Sequence, residues 1–293
     1  MRQKRLQDTH RGRPNFGTRI LTPDPISTIN AHIQMSLNEI TWKVLRLVES
    51  RSGIPVHVEP DPSLPGTMLA KVTMARGSLK LHRVAYRPDS SSPPDYLICQ
   101  QAGFILRLFD THPEKRFDFT PSAEGVAAIE RLVKAHPAAN MIRPIALPEF
   151  CRLLQDALLH HLRSIPVGMR VDRWLAAEFP SLRGLQNASI LHQLQDGPAT
   201  ISPKFQQRTP AKIFDGTQTI SAAFASFWAN RLGQPQLALP FKAAGFQKAG
   251  EELLAIWESS PEAPENDGAI IDAWADKLGI AGWHAWVPYS VPQ

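Results

Sequence analysis

The sequence predicts an α+β fold, in which a part that mixes helices with a small sheet is followed by a mostly helical region. Alternating apolar residues at Ile54–Val58 and across residues 68–84 are typical of strands with one buried face. From Thr120 onward, apolar residues recur instead at the spacing of amphipathic helices. With 293 residues, 43% of them hydrophobic, the chain can bury the core of one large or two modest domains.

We expect three parts along the chain. Residues 1–22 form a basic N-terminal arm, residues 23–140 an α+β unit, and residues 141–293 a helical domain with a tryptophan-rich C-terminus. The proline-rich segment Ile142–Phe150 marks the predicted boundary between the last two parts, because proline does not continue a helix and favours a linker.

The α+β unit begins with a predicted helix that Ser27 or Thr28 caps, whose apolar residues keep helical spacing and which stops at Gly53. Ile54–Val58 is then predicted as a strand, and residues 68–84 as a β-hairpin. A polar loop leads into a second predicted helix at Asp95–Phe109. The unit is therefore expected to order its elements as helix, small sheet and helix.

The remainder is predicted as helices separated by prolines and glycines. One helix begins after Ser122, whose hydroxyl suits an N-cap. The next covers residues 148–166 and is expected to stop at Pro166, because an interior proline lacks an amide hydrogen and crowds the preceding turn. Another helix then follows over residues 167–180. Asp267 is predicted to cap the last long helix.

The helix at Asp95–Phe109, DYLICQQAGFILRLF, carries the most informative motif. Its flanks, an Arg-Pro turn before it and a Tyr-Leu pair at its start, together with the order of elements over Ile29–Phe109, resemble the ImmA/IrrE-like zincin-type metallopeptidases. The resemblance implies a zincin-like fold, in which this helix carries the zinc motif His-Glu-x-x-His. In that register Gln100, Gln101 and Phe104 stand at the first histidine, the glutamate and the second histidine.

These three side chains cannot supply zinc-peptidase chemistry. An amide is a poor zinc ligand, Gln101 has no useful basicity near neutral pH, and Phe104 offers no lone pair. The resemblance therefore implies a degenerate site and a pseudoenzyme, with no catalytic residues, no metal and no cofactor. A simpler interpretation is an ordinary amphipathic helix, in which Gln100, Gln101 and Arg107 face solvent or a partner and Gly103 permits close packing.

Basic residues concentrate near the N-terminus of a chain whose net charge is +5. Such an arm suits a polyanion, since each neutralised phosphate releases counterions, and two arginines three residues apart on a later helix would extend the basic track. The other interpretation is a solvated arm without a partner. The predicted nucleic-acid-binding residues are Arg2, Lys4, Arg5, Arg11, Arg13, Arg170 and Arg173.

Aromatic residues cluster at the other end of the chain. Trp283, Trp286 and Tyr289 fall close together, with further tryptophans upstream. Tryptophan usually anchors a core, but it is also a favoured anchor of protein interfaces. The three residues are therefore our predicted contacts with a protein partner.

The two cysteines and the hydropathy indicate a compartment. Cys99 and Cys151 lie in apolar stretches, which predicts reduced core thiols in a cytoplasmic protein. No apolar run approaches the length of a membrane-spanning helix, and the N-terminus lacks the apolar core of a signal peptide, so no membrane partner is expected.

Three classes of function follow. The first is a non-catalytic interaction or regulatory subunit of a bacterial complex that handles nucleic acid or takes part in mobile-element and phage defence, a setting that the family resemblance suggests. The second is a hydrolase or nuclease whose site is not recognisable from its sequence. The third is a DNA-binding regulator, although the expected polar pattern of a recognition helix is missing.

Overall fold

The computed structural model describes residues 37–64, 68–88, 94–137 and 144–291. The predicted N-terminal arm and the predicted boundary between residues 140 and 141 lie outside these ranges. The α+β class is confirmed, because a helix, a small mixed sheet and a second helix precede a mostly helical region. From Leu37 onward the chain forms one compact unit by its contacts.

The first half of the described chain alternates helices with short strands. The sheet order is β1-β3-β2, with β1 parallel and β2 antiparallel to the central β3. The antiparallel pairing of β2 with β3 confirms the predicted hairpin. The first predicted helix does not run unbroken from Ser27 or Thr28, because Asn38 has an extended backbone and is the N-cap of a helix that begins at Glu39. The elements are α1 (Glu39–Ser52), β1 (Val56–Pro60), β2 (Ala70–Thr73), β3 (His82–Tyr86) and α2 (Pro94–Asp110).

Helices α1 and α2 pack against each other through fully buried side chains such as Val44, Val48 and Ile98. A carboxylate fixes their relative position, since Asp95 Oδ1 accepts hydrogen bonds from Thr41 Oγ1 at 2.5 Å and from the Asn38 amide at 2.8 Å. One acidic side chain at the start of α2 therefore satisfies orphan donors at the start of α1.

A second, two-stranded sheet joins distant parts of the chain. The strands β4 (Phe117–Pro121) and β5 (His284–Pro288) are antiparallel, with Phe119 opposite Trp286. The sequence interpretation did not include β5, whose aromatic residues suggested only a packed tail. Helix α3 (Ala123–Ala135) follows β4, and its N-cap is Ser122, as predicted, with the hydroxyl accepting from the Gly125 amide.

The remaining helices build the larger part of the core, in which Leu158, Ile220 and Trp274 are completely buried. None of the helices in the described ranges is long and apolar enough to cross a bilayer. The helices are α4 (Leu147–Glu178), α5 (Arg183–Asp196), α6 (Pro203–Gln206), α7 (Ala211–Leu232), α8 (Leu239–Ala243), α9 (Gln247–Ser259) and α10 (Asp267–Lys277).

The prediction that a helix stops at Pro166 is wrong. Helix α4 continues through Pro166, which lies buried in its middle, and merges the two predicted helices. A proline inside a helix costs about 3 kcal/mol. Complete burial of Leu162 and Met169 on either side offsets that cost, and the Pro166 carbonyl accepts a hydrogen bond of 2.8 Å from Trp257 Nε1.

Candidate binding site

The degenerate zinc-motif helix presents Gln100 to a buried polar network rather than to solvent. Gln100 Nε2 donates to Asp172 Oδ1 at 3.1 Å and lies 3.2 Å from the Tyr96 hydroxyl, which itself donates to the same carboxylate oxygen at 2.6 Å. Gln186 Nε2 donates to the Asp172 backbone carbonyl at 2.9 Å. Helices α2, α4 and α5 therefore meet at one buried carboxyl group.

Burial dominates the chemistry of this network. Asp172 is 1% exposed, and its Oδ2 has no hydrogen-bond partner among the described residues. Burial raises the pKa of Asp172 from 3.8 to about 7, although the hydrogen bonds from Tyr96 and Gln100 oppose the rise. Burial also raises the pKa of Tyr96 well above its usual value. The network therefore favours the protonated form of the Asp172 carboxyl group below about pH 7.

The other positions of the motif serve packing. Gly103 lies where α2 crosses α4, and a Cβ at this position would overlap the Val171 side chain, so the prediction of close packing is confirmed. Phe104 is half-buried, as is Gln101, which makes no side-chain hydrogen bond with the described residues. The simpler interpretation placed Gln100 and Arg107 toward solvent or a partner, but both are bonded within the protein.

Arg107 belongs to a triad of charges centred on Asp267. The Arg107 guanidinium donates to both Asp267 oxygens at 2.6 and 2.7 Å, and Arg170 Nη1 donates to Oδ1 at 2.8 Å. The predicted capping role of Asp267 is wrong, because Asn266 is the N-cap and Asp267 lies in the first turn of α10. Arg107 on α2 and Arg170 on α4 both donate to the Asp267 carboxylate, and these charge-assisted hydrogen bonds hold α10 against the two helices.

The two arginines predicted to extend the basic track lie in different surroundings. A track needs exposed side chains, whereas that of Arg170 is 2% exposed and is held by Asp267 and by the Pro261 carbonyl. Arg173 is 36% exposed, pairs with Glu262 and lies over the Trp257 ring, 4.6 Å from its centroid. Arg2, Lys4, Arg5, Arg11 and Arg13 lie outside the described residues.

The predicted partner-binding aromatics pack against the rest of the fold. Trp283 and Tyr289 are each 8% exposed, and the Tyr289 hydroxyl donates to the Ala75 carbonyl. Trp286 is half-buried, and its Nε1 donates to Asp272 Oδ1 at 2.9 Å. Their main contacts are therefore internal, as expected for core anchors, and Trp286 also forms part of a cavity wall.

That cavity has a volume of about 560 Å³ and lies beside Phe104, between α2, β4, α4 and α10. Its walls combine aromatic and aliphatic side chains with charged groups. The aromatic lining consists of Phe104, Phe117, Phe119 and Trp286, and the charged lining of Arg107, Lys115, Asp118, Arg163, Glu265, Asp267 and Asp272.

The carboxylates of the cavity are mostly engaged by the protein. Asp118 accepts from Arg76 Nη1 at 2.7 Å, Asp267 belongs to the arginine triad, and Asp272 lies 2.8 Å from His284 Nε2. Arg163, in contrast, makes no hydrogen bond or ion pair with the described residues. Burial lowers the pKa of its guanidinium, which Asp118 opposes, but an arginine in a protein stays charged.

A second cavity, of about 480 Å³, lies on the other side of Arg107. It is lined by Arg51, Arg107, Arg170 and Arg173 together with Trp174. These arginines have acidic partners, since Arg51 lies 3.4 Å from Asp110 and the others pair as described above. The positive charge of this cavity is therefore mostly neutralised within the protein.

In the described part of the chain, histidines and cysteines do not combine into a metal site. Among residues 37–64, 68–88, 94–137 and 144–291, no group of three or more His, Cys, Asp and Glu side chains is arranged to hold a metal ion. Burial lowers the pKa of His161 to about 4 and raises the pKa of Cys99 to about 12. These groups are thus neutral near pH 7, and the Cys99 thiol lacks the thiolate character of a nucleophile.

Comparison with models of protein families, with curated proteins and with solved structures yields no match to this chain. Sequence reasoning named Gln100, Gln101 and Phe104, but it missed Tyr96 and Asp172. The sequence contains no clear signal for Asp172, because it stands between Arg170 and Arg173 and resembles one charge of an exposed helix face.

Proposed function

We propose that this protein is a non-catalytic interaction or regulatory subunit of a bacterial complex that handles nucleic acid or takes part in mobile-element and phage defence. It would be a cytoplasmic pseudoenzyme whose zincin-like unit, related to the ImmA/IrrE-like metallopeptidases, has lost its zinc motif. A protein partner is expected, and nucleic acid would bind through the basic N-terminal arm.

One observation carries the proposal: Gln100 is committed to the interior. A metal ligand needs a lone pair that points into an accessible site. The Gln100 amide instead donates to a carboxyl group that is 1% exposed, and removing it would leave that group with a single side-chain donor among the described residues. Gln100 thus stabilises the junction of α2 and α4, a role suited to a binding scaffold.

The absence of zinc chemistry is tested by metal analysis and cleavage assays on the full chain. We expect less than stoichiometric zinc after purification in zinc-supplemented medium, and no chelator-sensitive cleavage of peptides, DNA or RNA. Stoichiometric zinc, or turnover that a chelator abolishes, would contradict the proposal and would favour the hydrolase or nuclease alternative.

The nucleic-acid part is tested on the arm. Replacing Arg2, Lys4, Arg5, Arg11 and Arg13 by glutamine should weaken binding to duplex DNA and reduce the slope of log K against log salt by up to about 5, since each phosphate contact contributes about 0.9. The matched control neutralises five exposed basic residues elsewhere, Arg131, Lys204, Arg208, Lys242 and Lys248. Equal losses in both variants would contradict a role specific to the arm.

A protein partner is tested by purifying the tagged chain from its native host and repeating the capture in reverse from the tagged candidate. The proposal expects one partner recovered in fixed stoichiometry in both directions. Recovery of the chain alone, as a monomer by light scattering in lysate and after purification, would contradict it.

A further inference from the structure

The cavity beside Phe104 combines apolar aromatic walls with the guanidinium of Arg163, which has no ion pair among the described residues. Phe119 and Trp286 meet edge-to-face on one wall, with ring centroids 5.3 Å apart. Arg163 projects from α4 into the same space, one turn before Val167. Pockets that take small molecules are mostly apolar with a few placed polar groups and span roughly 300–1,000 Å³, a range that includes this cavity at about 560 Å³.

Arg163 is a charged group of the cavity that has no acidic partner of its own among the described residues. Asp118 is the acidic group of the wall whose charge acts on Arg163, but its carboxylate accepts its hydrogen bond from Arg76 Nη1, at 2.7 Å. Arg163 is half-buried in the wall and makes no hydrogen bond or ion pair with the described residues, so its guanidinium is available to pair with an anionic ligand in the cavity. Lys115, exposed at the edge of the cavity and also without an ion pair among the described residues, adds a second positive charge.

We infer that this cavity binds a small organic anion, namely a flat aromatic body that carries a carboxylate or a phosphate. The ring would lie against Phe119 and Trp286, and the anionic group would meet Arg163 in a two-pronged hydrogen bond. An inorganic ion would leave most of the volume and the apolar walls unused. A neutral apolar ligand would leave the guanidinium unpaired. This inference does not rest on the proposed function.

Titration calorimetry on the full chain, with three probes of one shape, tests the inference. Naphthalene-2-carboxylate and 2-naphthyl phosphate supply the two anionic groups, and naphthalene-2-carboxamide supplies a neutral head. We expect at least one anion to bind at least tenfold more tightly than the carboxamide, the ratio that a charge-assisted hydrogen bond provides. The preferred anion distinguishes a carboxylate site from a phosphate site.

Two variants assign the preference to Arg163. Arg163→Gln should abolish the advantage of the anion, whereas Arg208→Gln, which removes an exposed arginine away from the cavity, should keep it. If circular dichroism shows that the glutamine variant is unfolded, Arg163→Lys takes its place, and it should still prefer the anion but with weaker binding. Equal affinity for charged and neutral probes, no binding of any probe at about 1 mM, or an unchanged preference in a folded Arg163→Gln variant would overturn the inference.

Discussion

The buried carboxyl group of Asp172 should make the protein less stable as the pH rises from about 4 to about 7. In the unfolded chain this group titrates near 3.8, and in the fold burial raises its pKa to about 7. Between these values the folded protein keeps a proton that the unfolded chain has released, so the free energy of unfolding falls with pH. Above about 7 both states are ionised and this contribution no longer changes.

The size of the effect follows from the two pKa values. They differ by about 3, and each pKa unit corresponds to about 1.4 kcal/mol, so full ionisation of Asp172 in the fold costs about 4 kcal/mol. Asp172→Asn cannot ionise, and its Oδ1 can still accept from Tyr96 and Gln100. Its amide nitrogen takes the place of Oδ2, which has no partner, at a pH-independent cost of about 1–3 kcal/mol.

Wild type should therefore be more stable than Asp172→Asn by about 1–3 kcal/mol at pH 4, and the difference should move by about 4 kcal/mol in favour of the variant by pH 8. Urea unfolding followed by tryptophan fluorescence at several pH values measures this difference, since linear extrapolation gives each free energy. Asp156→Asn, which changes an exposed aspartate on the same helix, is the control and should track wild type.

A difference between wild type and Asp172→Asn that stays constant within about 1 kcal/mol from pH 4 to pH 8 would refute the reasoning. It would mean that the carboxyl group is already ionised at pH 4 in the fold, so that burial is not the dominant influence on it.

Three further predictions concern packing, charge and the thiol. Gly103→Ala should lower the free energy of unfolding by about 1–3 kcal/mol, because its Cβ would overlap α4. Gly184→Ala is the control: it lies in an open part of α5 and should raise the free energy of unfolding by up to about 1 kcal/mol. Equal shifts of the melting temperature in the two variants would contradict this prediction. Asp267→Asn should lower the free energy of unfolding in urea by about 3 kcal/mol, because the buried Arg170 loses its charge partner. Glu265→Gln, at the exposed edge of the cavity, should keep a free energy of unfolding near that of wild type. Cys99 should be alkylated by iodoacetamide at pH 8 only in denaturant, as read by peptide mass mapping, and rapid labelling of the native protein would contradict its burial.

Local signals in the sequence predicted much of the fold. The hairpin of β2 and β3, the Ser122 cap and the end of α1 at Gly53 all depend on neighbouring residues. The predicted helix end at Pro166 was wrong, because the burial of side chains on both sides of that turn outweighs the local cost of a proline in a helix. Strand β5 was missed because its partner lies more than 160 residues earlier in the chain.

The properties of the candidate site also fall into two groups, those that the sequence determined and those that depend on the tertiary structure. The sequence alone determined which chemistry positions 100, 101 and 104 can offer, because an amide has no useful basicity and a phenyl ring has no lone pair in any fold. Only the tertiary structure decided that Gln100 meets Asp172, 72 residues away, that burial raises the pKa of this carboxyl group to about 7, and that Arg163 lines a cavity without an ion pair among the described residues. Those properties depend on how much water the surrounding helices exclude, and exclusion of water is set by packing between segments that are distant in the chain.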